Sequence, residues 1–103
     1  MAVLALAACR EEPEETKETN QAVLDWSNTS RELIPSMVGA FVPHSRQVAF
    51  THVAMHDAIN SIRHRYATYG TPVAASANAS PEAAAIAAAH FMLVRLHPER
   101  QAE

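Results

Sequence analysis

His52 and His56 stand four residues apart in the run SRQVAFTHVAMHDAINSIRHRYATY, residues 45–69. On a helix that spacing puts both imidazoles on one face, the arrangement used by metal-binding helices. A zinc-protease pattern also needs glutamate directly after the first histidine, and Val53 occupies that place. Asp57, His64 and His90 are available as a third ligand, but none has a convincing spacing to the pair. The residues therefore favour packing over metal binding, with His52 in the core holding one hydrogen bond and His56 near its edge. Asp57 and Asn60 fall on the more polar side of the same segment. They are suited to binding loop backbone or to meeting Arg63 and Arg65, a structural role rather than a catalytic one. Arg63, His64, Arg65, Tyr66 and Tyr69 form a cluster that suits an anion, or that pins a loop to its helix by stacking and carbonyl contacts. There is no glycine-rich phosphate loop, no nucleophile elbow and no pair of catalytic carboxylates. No catalytic, cofactor-binding or metal residue is assigned.

Helices must carry these groups, since two glycines and abundant alanine favour helix over sheet. A first helix is predicted over about 21–34, where Ala22, Val23, Trp26, Leu33 and Ile34 recur at helical spacing opposite Asp25, Asn28 and Arg31. Pro35 disfavours helical geometry at Ile34 and ends it. Residues 36–43 then form a loop whose Met37, Val38, Phe41 and Val42 cover the core. A second helix spans about 44–62, with Val48, Met55, Ile59 and Ile62 as a stripe flanked by His52 and His56. Ala49, Phe50, Val53, Ala54 and Ala58 fill most of the remaining girth, so this helix is expected at the centre of a bundle. Three helices enclose one of their own number poorly, which points to partner segments beyond them. Ser80-Pro81-Glu82 combines a cap, a first-turn proline and an acid at the positive helix end. It starts a third helix over about 81–97. The alanines between Ala83 and Ala89 allow close backbone approach, while Ile86, His90, Leu93 and His97 line one face. Pro98 ends this helix and opens a further turn. The expected fold is all-α, three helices forming part of a larger bundle.

A chain of 103 residues allows one domain at most, with a marginal core. From Asn20 onward, Arg31, Arg46, Arg63, Arg65, Arg95 and Arg100 balance Asp25, Glu32, Asp57, Glu82, Glu99 and Glu103. The net charge of -3 therefore arises in residues 10–19. A neutral body without a basic face argues against nucleic acid as a partner. Residues 10–20 are charged, aperiodic and interrupted by Pro13, and are read as a flexible acidic tether. Ahead of them Leu6-Ala7-Ala8-Cys9 resembles a bacterial lipobox, which implies a truncated signal over residues 1–9 and lipid on Cys9. The chain would then be exported and periplasmic or membrane-anchored. The basic stretch of a signal peptide is missing, so an apolar end with an ordinary thiol stands as the other reading. Residues 21–103 form the helical body.

Four segments in order, Ala22–Trp26, Ser45–Asn60, Arg65-Tyr66 with Tyr69, and Ser80–His90, make the chain similar to the N-terminal helical region of bacterial vanadium-dependent haloperoxidase-like proteins. That family shares its fold with type 2 phosphatidic acid phosphatases. The resemblance covers nearly everything after the tether. It implies an enzyme several times longer that binds vanadate and oxidises halide with peroxide, or hydrolyses a phosphate ester. Its oxyanion-binding residues lie in a C-terminal part outside this sequence, so this segment is expected to supply scaffold helices, to be inactive alone, and to carry no cofactor. Ser45-Arg46, His52 and His56 also come close to the superfamily's Ser-Arg…His…Asp motif, but His56 stands where the aspartate belongs, and Asp57 is one residue, about 100°, away on a helix. The companion lysine–arginine-proline and Pro-Ser-Gly-His motifs are missing, so this match is read as coincidental. The alternative function is a self-sufficient small helical lipoprotein that binds a partner or a metal through the His52/His56 face. Self-association into a homo-oligomer fits either reading.

Overall fold

The computed structural model describes residues 13–33 and 41–101, the side chains of Phe41 and Val42 excepted. These form three helices, α1 (Glu14–Glu32), α2 (Phe41–Arg63) and α3 (Pro81–Leu96), followed by a single 3-10 turn at Pro98–Arg100. No strand occurs among the described residues.

The first helix begins seven residues earlier than its apolar spacing foretells. Residues 14–20, read as part of the tether, are helical. Pro13 does not interrupt structure but precedes the helix, with its carbonyl accepting from Thr16 and Lys17. Glu14 and Glu15 sit in the first turn, where the helix dipole favours negative charge. Thr19 is buried and returns its hydroxyl to Glu15 O at 2.8 Å. Ala22, Val23 and Trp26 face inward as the spacing predicts. The helix ends at Leu33, and Pro35 lies outside the described residues.

The second helix also starts early, at Phe41 rather than 44. Pro43 falls in its first turn, where a missing backbone N–H costs nothing. Met55 is 1% exposed and meets Ala85 and Ala89, both at 0%, with Val23, Trp26 and Ile59 packed around them. The alanines thus serve as predicted, letting α3 lie close against α2. Of the predicted α3 face Leu93 and His97 are buried, and Ile86 and His90 are not. The buried line of the helix is Ala85, Ala89 and Leu93. Small residues win the interface because they permit the closest backbone approach, which turns Ile86 outward.

Ser27 lies beside His52, and Glu15 pairs with Arg63, so α1 runs antiparallel to α2. Helix α3 returns along α2, with Trp26 and His90 in edge contact at 6.2 Å. The third helix starts as its sequence dictates, with Ser80 Oγ accepting from the Ala83 N–H at 3.2 Å. The second helix is not enclosed by these partners. Ala49 is exposed and Phe50 is 47% exposed.

Candidate functional site

The chemistry-bearing residues gather where α2 ends. His64 takes a left-handed backbone (φ 51°) and its N–H returns to Asn60 O at 2.8 Å, which terminates the helix. Asn60, buried inside that end, then captures the departing chain. Its Oδ1 accepts from the Arg65 and Tyr66 N–H groups, each at 2.9 Å, and its Nδ2 donates to Tyr66 O. One turn back, Asp57 accepts from the Tyr69 N–H at 3.0 Å and the Gly70 N–H at 2.8 Å. A Cβ at position 70 would stand 3.3 Å from Asp57 Oδ2, so glycine gives the loop room to approach. The Tyr69 and Gly70 amides, and then His56, hold the Asp57 carboxyl below its ordinary range. Two side chains spaced three apart thus clamp a seven-residue loop. Of the two partners expected for these residues, loop backbone or Arg63 and Arg65, the first is the one observed.

His56 Nδ1 donates to Asp57 Oδ1 at 3.0 Å. Its ring lies against Tyr69, with centroids 5.3 Å apart, and Tyr66, at 6.1 Å. These are edge-on and tilted contacts to a histidine outside the arginine–tyrosine cluster, so the loop is pinned by carbonyl and amide hydrogen bonds and not by the stacking expected within that cluster. His52 turns toward α1 and shares a hydrogen bond with Ser27 Oγ at 3.1 Å. A serine beside a histidine suits nucleophilic catalysis only where donors await the oxyanion. Ser27 lies in mid-helix, where backbone N–H groups are committed to the helix, so this pair ties α1 to α2. Its signal in the sequence was its place one turn after Val23 on the packed face.

The two histidines thus share a face but are committed to different partners. Among the described residues no three His, Cys, Asp or Glu side chains converge on a point that would hold a metal ion. Vanadate would need arginine, lysine and an apical histidine around one centre. Lys17 instead meets Glu14 at 3.8 Å on α1. Arg46 is exposed on α2, about 120° around the helix from His52. The described residues do not fit that group, and no step runs through it here. Cys9 lies outside the described residues. No described helix is long and apolar enough to cross a membrane.

Three concavities flank this end of α2, one of them under the loop after it, lined by His64, Tyr66 and Val73 among others. A shallow groove of about 340 Å³ is lined by Val23, His52, Val53, His56, Ile59 and Tyr69, among others. A cleft of about 380 Å³ lies between the start of α1 and the end of α2. Arg63, paired with Glu15 across its edge, lines it together with Arg65, Tyr66 and His56. Glu15 was hidden from sequence reasoning inside the supposed tether. Compared with protein-family models, curated proteins and solved structures, the chain matches none.

Proposed function

We propose that these residues are scaffold helices of an enzyme resembling vanadium-dependent haloperoxidases and type 2 phosphatidic acid phosphatases, with the reacting groups carried by further polypeptide. The observation that supports this reading is the state of α2. Its polar motif residues, Asp57 and Asn60, bind the chain's own loop, while Ala49 and Phe50 stay uncovered. A helix of that composition gains from neighbours on every side. The coding sequence downstream of Glu103 tests the idea. An open frame carrying the lysine, arginine-proline and Pro-Ser-Gly-His elements is the expected result. A stop codon with no such frame in any register would overturn it. Halide oxidation by the 103-residue chain, lost in Arg46→Ala or His52→Ala, would equally overturn the scaffold role.

The groove that exposes both imidazoles supports a second reading, a self-sufficient helical lipoprotein that takes a partner or a metal there. The bonds to Ser27 and Asp57 each use one ring nitrogen, so a metal here would be taken by His52 Nδ1 and His56 Nε2, with Asp57 orienting the second imidazole. Calorimetry with zinc separates the two readings: heat of binding lost in His52→Ala and His56→Ala favours the second.

A further inference from the structure

We infer that the cleft between the start of α1 and the end of α2 binds a small organic acid, a carboxylate with a compact apolar body. The inference is independent of the enzyme reading. The cleft's volume, about 380 Å³, lies in the range of small-molecule sites rather than of peptide grooves. Pro13, Ile59 and Pro81 give it an apolar lining, and Arg63 and Arg65 give it two guanidinium groups. Arg63 already pairs with a carboxylate, that of Glu15, across the cleft edge. Arg65 lines the same cleft, has no acidic partner among the described residues, and is exposed. Among the described residues the charges lining the cleft are therefore two arginines against Glu15, with His56 committed through Nδ1 to Asp57 behind it. Glu14 lies one residue before Glu15 but pairs with Lys17. Two helix starts, those of α1 and α3, meet one helix end at this place, which leaves the balance of backbone dipoles positive. One monoanion neutralises the cleft, and its apolar body finds the prolines and Ile59. Glu15 acts as an internal competitor for Arg63.

The test is titration of the isotope-labelled full chain with phenylacetate, followed by amide NMR, with benzyl alcohol and inorganic phosphate as matched controls. Saturable shifts are expected at Thr19, Ile59 and Tyr66, from phenylacetate but not from the neutral alcohol or the hydrophilic anion. Arg65→Gln, on an exposed loop residue, should weaken binding about five-fold, the size of one surface ion pair. Glu15→Gln should tighten it by a similar factor because Arg63 is released. Equal binding of benzyl alcohol would remove the arginines from the argument, and equal binding of phosphate would remove the apolar lining. Either result overturns the proposal, as do shifts confined to the His52 groove or weaker binding in Glu15→Gln. Circular dichroism of each variant separates lost binding from lost fold.

Discussion

Asn60 gives both ends of its amide to the start of the loop whose end Asp57 holds. Replacing it with alanine strands two backbone N–H groups and one carbonyl, each hydrogen bond having a net value near 1 kcal/mol. Asn60→Ala should therefore cost about 2–3 kcal/mol by urea denaturation, while Asn60→Asp, which keeps Oδ1, should cost less. Equal losses for the two would place the strength of the clamp elsewhere. Asp57 makes the same clamp sensitive to acid. Its carboxyl titrates below the ordinary value in the folded chain, so its contribution is complete above the unfolded-state pKa and disappears as pH falls through the folded one. Hydrogen exchange at the Tyr69 and Gly70 amides should accelerate over that acid window, beyond its intrinsic pH dependence, and Asp57→Asn should flatten the response. Unchanged protection of both amides on acidification would show that the carboxylate does not hold the loop.

Packing between α2 and α3 depends on what is absent from α3. Ala85 and Ala89 are fully buried against Met55, so a larger side chain has no space there. Ala85→Leu is expected to destabilise by about 1–3 kcal/mol through overpacking, and Met55→Ala by about 2–5 kcal/mol through the cavity it leaves. Ile59 is only partly buried, and Ile59→Ala should fall nearer 1–2 kcal/mol. A larger loss at Ile59 than at Met55, measured by thermal melting, would reverse this order. The same interface shows how far the sequence could be read. Three helices, the Ser80 cap, the inward Met55 and the alanine contact followed from spacing and capping chemistry. The start of α1 did not, because glutamates without apolar neighbours resemble a solvated tether. What fixes residues 14–20 is tertiary: Thr19 is buried against the bundle, while the half-exposed Glu15–Arg63 pair, which joins residues far apart in sequence, adds little to that hold. The exposed Ile86 was misread for a related reason, since hydrophobicity ranks isoleucine above alanine and close packing reverses the order. The anion cleft was half legible: its arginines were evident, but the α1 wall was not.

The described helices bury few large apolar side chains, and the fully sheltered ones include Ala22, Ala85 and Ala89 beside Met55, Ile62 and Leu93. Outside this thin core stand Leu24, Phe50 and Phe91, each about half exposed, with Arg95 resting 4.6 Å from the Phe91 ring centre. A small core with uncovered aromatics should melt broadly and bind a hydrophobic dye such as ANS. Phe50→Ser removes a side chain that is about half buried within these residues, so the isolated chain should lose only about 0.5–1.5 kcal/mol. A polypeptide that covers the exposed half of Phe50 would gain about a further 0.5–1.5 kcal/mol from it, and the serine variant would lose that gain. Dye binding should accordingly fall in Phe50→Ser while helicity by circular dichroism stays constant. A sharp two-state melt without dye binding, or a large loss of stability on Phe50→Ser, would mean that α2 is already covered by residues of this chain. The scaffold reading would then lose its physical basis, because it depends on Phe50 awaiting a neighbour.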